Sequence, residues 1–194
     1  IGRIDFFIFD KILKENNLYD LVLPSWEDVL NEAKKIYKKF DSKDIKKIIY
    51  RLEYMNIDNK LCLTARNSDI KIFNCYFNGL EILEAANIEC SSNVLNDKHI
   101  YPLSIKANMI DFYKINEFHN ISKMNLNASS IYLYNSYLYC ANCDVNINAD
   151  FFCLENSSLY ETKNIELNAK CIDLDNSMLE SRNNIIINNL ECDE

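Results

Sequence analysis

From Met124 to the C-terminus the chain repeats one plan of apolar and polar positions. The segments read MNLNASSIYLYNSYLYCANCD, VNINADFFCLENSSLYETKN, IELNAKCIDLDNSMLESRNN and the incomplete IIINNLECDE. A repeat of about twenty residues marks a solenoid, in which each coil buries its apolar face against its neighbours. In the clearest coil, Ile165, Leu167 and Ala169 alternate with polar residues, then Ile172 and Leu174, then Leu179. Alternation of period two predicts three short strands per coil with those residues inward. Upstream, Leu61, Leu63 and Ala65 match Ile165, Leu167 and Ala169, while Ile70, Ile72, Asn74 and Phe77 match Ile172, Leu174, Asn176 and Leu179. The stretch 80–102 is less regular, with Ala85, Ile88 and Val94 as inward positions, and Leu103, Ile105, Ala107, Ile110 and Phe112 restore the register. About six coils are expected between Lys60 and the end.

Polar residues recur at fixed places in this plan. Asn135-Ser136, Asn156-Ser157 and Asn176-Ser177 fall at the corner between the second and third strands, and Asn127, Asn148, Asn168 and Asn188 follow the first. Asparagine tolerates the left-handed backbone of a bend, and stacked amides bond along a solenoid axis. The combination resembles the right-handed parallel β-helix, the architecture of pectate lyases and bacterial adhesin passengers. The four-sided pentapeptide-repeat solenoid is the rival, since Leu167/Ala169, Ile172/Leu174 and Ser177/Leu179 lie five apart. Its fourth inward pair would be Arg182/Asn184, which does not belong in a core, so three sides fit better.

The first part of the chain reads as helical. Ile4, Phe7, Ile8 and Ile12 suit a helix, or a short strand leading into one. Ser25 and Asp28 form a capping-box pattern ahead of Trp26, Val29, Leu30, Ala33, Ile36, Tyr37 and Phe40 at helical spacing. Ser42 then caps a further helix with Ile45, Ile48, Ile49, Leu52 and Met55 inward. The expected fold class is therefore α+β: a helical domain over 1–58 that caps one end, then a parallel β-solenoid over 59–194. Lys34, Lys35, Lys38, Lys39, Lys43, Lys46, Lys47 and Arg51 make a basic island interrupted by Asp41 and Asp44. Such an island is the solvated face of two helices or a nucleic-acid contact. SWEDVLNEAKKIYKKF and SKDIKKIIYRLEYMNID resemble the second and third helices of a winged-helix domain, without the usual glycine between them. That resemblance implies Lys43, Lys46, Lys47 and Arg51 as recognition-helix contacts, mostly to phosphate.

Charge and chemistry narrow the function. A formal charge of -8 disfavours nucleic acid along the whole surface and leaves only a local patch for it. No apolar run approaches the roughly eighteen residues of a membrane span. Eight cysteines without a leader-like segment predict free, mostly buried thiols and a reducing, cytoplasmic setting. The chain begins at Ile1 and not Met, so it reads as a piece or a processed form, and its compartment depends on what precedes it.

Cys140-x-x-Cys143 has metal-ligand spacing, but Cys153, Cys171 and Cys192 fall at three other places in the repeat, Cys192 at the inward position of Ile172. No metal centre is expected. His99 and His119 stand outside any nucleophile motif, and Gly2 and Gly79 cannot make a phosphate loop. Glu155, Glu166, Asp173 and Asp175 point outward, with Asp175 over Glu155. Minimal turns leave only 80–102 to supply a loop for a cleft, so no catalytic residues, enzymatic activity or cofactor are expected. Carbohydrate binding or cleavage is the alternative that the β-helix resemblance implies.

Tyrosines supply the better clue. With Ile131, Leu133 and Leu138 inward, Tyr132, Tyr134, Tyr137 and Tyr139 face out, Tyr113 lies beneath Tyr134, and Tyr160 follows Tyr139. A tyrosine strip suits a protein or sugar contact. The sequence stops partway through a coil, which predicts self-association there or continuation into another segment. A non-catalytic interaction or scaffold solenoid is the leading expectation.

Overall fold

A computed structural model describes residues 2–8, 20–36, 45–58, 60–96 and 101–190. They form a parallel β-solenoid of about six turns. The strands are β1 (Gly2–Phe7), β2 (Asp20–Leu23), β3 (Ile45–Glu53), β4 (Asn56–Ile57), β5 (Leu61–Ala65), β6 (Asp69–Phe73), β7 (Tyr76–Phe77) and β8 (Leu80–Ala85). They continue as β9 (Asn87–Ser91), β10 (Val94–Asn96), β11 (Leu103–His119), β12 (Lys123–Cys140), β13 (Asp144–Glu155), β14 (Ser158–Asp175) and β15 (Met178–Asn189). One helix, α1 (Trp26–Ile36), lies between β2 and β3.

Every strand pairing is parallel, and the pairings run in three ladders. The first joins β2, β5, β8 and the leading parts of β11, β12 and β13 to the later parts of β14 and β15. The second joins β1, β3, β6 and β9 to the middle of β11 and β12 and the ends of β13 and β14. The third joins β4, β7 and β10 to the ends of β11 and β12 and the starts of β14 and β15.

Alternation decides what each ladder buries. Leu63, Leu83, Ile105, Leu126, Ile147 and Leu167 stack in the first, and Ile70, Ile88, Ile110, Ile131 and Phe152 in the second, all in one continuous core. The third stacks Leu138, Leu159 and Leu179. Ala107, Ala128, Ala149 and Ala169 stand in line where the first strand ends, as Ala65 does on Ala85. In β10 the inward residue is Leu95, not the expected Val94, which is half-buried. Arg182 and Asn184 are exposed, as their chemistry requires.

The corners use left-handed backbone. Asn74, Asn135, Asn156 and Asn176 have φ of 52°, 46°, 47° and 47°, and Tyr54, Ser92 and Lys114 take the same kind of turn in the irregular coils. The column after the first strand bonds throughout, Asn148 Nδ2 donating to Asn127 Oδ1 and Asn168 to Asn148 at 3.1 Å and Asn188 to Asn168 at 2.7 Å, while at the corner Asn176 Nδ2 donates to Asn156 Oδ1 at 2.7 Å and no side-chain bond joins Asn156 to Asn135. Just inside the corner, a polar column enters the core. Ser136 N donates to Ser157 Oγ at 2.9 Å, and Ser157 N to Ser177 Oγ at 3.2 Å. In earlier coils Asn93 and Asn116 do the same work, taking Cys75 N and Asn93 N at 3.0 and 3.2 Å. These side chains satisfy amides that the turn removes from the strand ladders.

The N-terminal part departs from the expected helical domain. Helix α1 forms as its cap predicts: Ser25 N donates to Asp28 Oδ2 and Asp28 N to Ser25 Oγ, each at 3.2 Å. The helix expected after Ser42 is instead strand β3, paired to β1 on one side and β6 on the other. Ile48, Tyr50 and Leu52 alternate into the core, and Ile49, on the other face, is buried as well. Burial on both faces gives an apolar spacing that also fits a helix, and the β-branched isoleucines favour the strand. The described strands before Asp58 therefore extend the solenoid, with α1 the one helix among the described residues. The winged-helix pattern is not borne out. Val29 packs on the core and Leu30 is buried, so α1 lies against the early coils. Among the described residues, no helix is long and apolar enough to cross a membrane.

At the other end β15 pairs only with β14 among the described residues. Its inward positions have no further coil upon them, and Ile185, Ile187 and Leu190 are exposed.

Candidate interaction surface

The tyrosine strip divides at the Asn135–Ser136 corner into two faces. On the second ladder, Tyr113 lies in register with Tyr134, and Tyr132 leans on Phe151 with ring centroids 5.6 Å apart. Tyr113 donates its hydroxyl to Asp111 Oδ2 at 2.6 Å, and that bond, then burial, pushes its own pKa up. Tyr134 is 46% exposed.

On the third ladder, Tyr139 sits between His119 and Tyr160, with centroids 5.0 and 5.3 Å away. Beside this aromatic column runs a second row, Ile115, Tyr137, Ser158 and Met178, one residue per coil. Ile115, Tyr137 and Met178 are 52%, 51% and 44% exposed, while Ser158 is half-buried. Ile115 and Met178 complete the surface and were not singled out from the sequence. The register slips by one residue at Tyr113/Lys114, so aligning Ile115 with Tyr137 requires the corner geometry.

The basic island is not gathered on a recognition helix. Lys34 and Lys35 are exposed in the last turn of α1, with Lys35 2.5 Å from Glu32. Lys47 pairs with Asp69. Arg51 pairs with Glu53 at 2.6 Å and Asp5 at 3.6 Å, and lies over the rings of Phe7 and Phe73 at 5.9 and 5.4 Å. Lys46 falls on β3; Lys38, Lys39 and Lys43 lie outside the described residues, as do His99 and Cys192.

Among the described thiols, Cys75, Cys90, Cys140 and Cys143 are buried and Cys171 is exposed. All described cysteines are free. Cys140 and Cys143 are fully buried across a tight turn, with Cys143 N donating to Cys140 O at 3.4 Å. Burial first, then the neighbouring Cys143, pushes the Cys140 thiol well up, and burial lifts Cys75 to about 11. Burial and then the carboxylates of Asp173, Glu155 and Asp175 push Cys153 up. Asp175 does lie in register over Glu155, yet no group of three or more metal-ligating side chains converges among the described residues.

Two concave sites are open to solvent among the described residues: one of about 650 Å³ at the Asn135–Asn156–Asn176 corner beside Tyr137 and Met178, and one where the third strand turns into the first. A cavity of about 580 Å³ opens there, with Val94 and Ile121 beneath and Asn120, Asn142, Ser122 and Lys163 around it. Glu117 Oε2 lies 3.0 Å from the adjoining His119 Nε2, and Arg182 is 2.5 Å from Glu161. The described part of the irregular stretch, 80–96, forms strands, and its Val94 and Asn96 line this cavity.

Comparison with protein-family models, with curated proteins and with solved structures gives no match. What this chain does must be argued from the surfaces themselves.

Proposed function

We propose that the chain is a non-catalytic interaction scaffold, and that its partner at the third-ladder face is a second copy of the chain. The observation that carries this reading is the row Ile115, Tyr137, Ser158 and Met178. Apolar residues exposed side by side on successive coils form a patch, unlike the scattered apolar exposure of an ordinary surface.

The row is also self-complementary. A two-fold axis across the face, between the coils of Tyr137 and Ser158, sets Ile115 on the partner copy's Met178. It sets Tyr137 on the small Ser158, and Tyr139 on Tyr160. Bulky against small, and aromatic against aromatic, is what an isologous contact requires. Four coils about 4.8 Å apart offer only a few hundred Å² per copy, at the low end of specific interfaces, so association is weak and concentration-dependent.

Sedimentation velocity over micromolar concentrations tests this. Wild type is expected to shift from monomer to dimer, and Tyr137→Lys to remain monomeric at every concentration. A wild type that stays monomeric would overturn the reading. A dimer untouched by Tyr137→Lys would move the contact to the exposed end at β15, the other route to self-association. Of the basic island, the nucleic-acid alternative keeps Lys34 and Lys35 as exposed cations without a carboxylate on another element, and two such charges give little of the phosphate contact it needs.

A further inference from the structure

We propose that the corner cavity beside Asn120 and Asn142 binds one hydroxyl-rich ligand carrying a single anionic group, a carboxylated or phosphorylated monosaccharide. The starting observation is a missing bond. Side-chain amides of successive coils bond one another from Asn127 through Asn148 and Asn168 to Asn188, while the corner column is broken between Asn135 and Asn156, and Asn120 Nδ2 donates to Asn96 Oδ1 at 2.8 Å. Between Asn120 and Asn142 no such bond forms, and the cavity opens at that break.

The groups left over there have a definite chemistry. Asn120 gives one amide N–H to Asn96, so its carbonyl oxygen remains to accept and its second N–H to donate. Asn142 Oδ1 accepts from Arg182 Nη1 at 2.6 Å, so its amide N–H groups remain to donate. Both residues are held in left-handed turns with φ of 57°, which fixes their positions before anything binds. A sugar hydroxyl donates and accepts at once, and so can meet both amides. The apolar face of a sugar ring suits Val94, which is half-buried in the cavity lining.

Lys163 supplies the charge. It is exposed on the cavity wall and makes no ion pair among the described residues. The neighbouring acids are engaged elsewhere, Glu117 with His119 and Glu161 with Arg182. An ammonium without a partner at a concave polar site favours an anion. The cavity volume of about 580 Å³ lies within the ~300–1,000 Å³ of small-molecule sites.

Calorimetric titration of the full chain with glucuronate, glucose 6-phosphate, glucose and inorganic phosphate tests the site and separates a carboxylate from a phosphate source. At least one acidic sugar is expected to bind in the millimolar range or tighter. Its affinity should fall at least tenfold in Lys163→Met and in Asn142→Gly, the latter keeping the left-handed turn. Neutral glucose should bind at least tenfold more weakly. No binding of either acidic sugar at about 10 mM, where even a ~1 mM site is mostly filled, would overturn the proposal. So would inorganic phosphate binding as tightly as the sugars, or an affinity unchanged in Lys163→Met. Tyr137→Lys should bind the sugar as wild type does, so this result and the dimer test fail or succeed separately.

Discussion

Asn156 shows what a single residue does in this fold. It turns the chain at φ 47° and accepts Asn176 Nδ2 at 2.7 Å. Alanine keeps the Cβ in the left-handed region but lacks the short polar side chain that offsets its cost there, and it loses the bond from Asn176, together about 1–2 kcal/mol. Urea denaturation should therefore show Asn156→Ala losing about that much stability and Asn156→Gly clearly less. Asp111 is the opposite case, a residue that costs stability. One carboxylate oxygen accepts from Tyr113, and the other is buried without a partner. Burial, with Glu89 adding to it, raises the Asp111 pKa against the opposing Tyr113 bond and Lys71. A carboxyl with a raised folded pKa favours the fold when protonated, and that contribution is lost as pH rises through the folded value. Asp111→Asn should raise stability by about 1 kcal/mol at pH 7, and the gain should shrink as the pH falls into the carboxylate range. Thermal melts across pH check both points. The asparagine columns were legible in the sequence because the same side chain recurs at one place in coil after coil. The cavity was not, because it rests on a bond that two asparagines in different coils do not make.

At the scale of elements, β3 carries the main correction. Ile45, Ile48, Ile49 and Leu52 satisfy helical spacing only because a strand buried on both faces loses its clean alternation. The β-branched isoleucines lean towards a strand, and pairing to β1 and β6 decides it. The same correction changes the meaning of Arg51. On a recognition helix it would touch phosphate. On β3 it ties Asp5 and Glu53 together and covers Phe7 and Phe73. Arg51→Ala should lower stability by about 1–2 kcal/mol, through lost packing and cation–π contact as much as lost charge. Gel-shift assays at low salt should show no nucleic-acid affinity for the variant to lose. A salt-dependent shift of DNA or RNA that disappears in Arg51→Ala would restore the recognition-helix reading. Helix α1, by contrast, was readable from Ser25 and Asp28 alone, since a capping box needs only local chemistry.

Over the whole molecule, one repeated plan builds a rod, and departures from the plan mark the surfaces that can recognise something. The coils from β11 to β14 are regular enough to predict inward residues one by one, and they leave Tyr137 outside with nothing upon it. The partners of Tyr137 along the face, Ile115 and Met178, emerge only when coils are stacked in register. Hydroxyl-radical footprinting at rising protein concentration tests the proposed contact on the residues themselves. Tyr137 should become protected as the dimer forms. Tyr54, 79% exposed at an early corner, and Tyr134, on the second-ladder face, should stay reactive throughout. Equal reactivity of Tyr137 at all concentrations, or a parallel loss at all three tyrosines, would contradict the third-ladder face as the site of association.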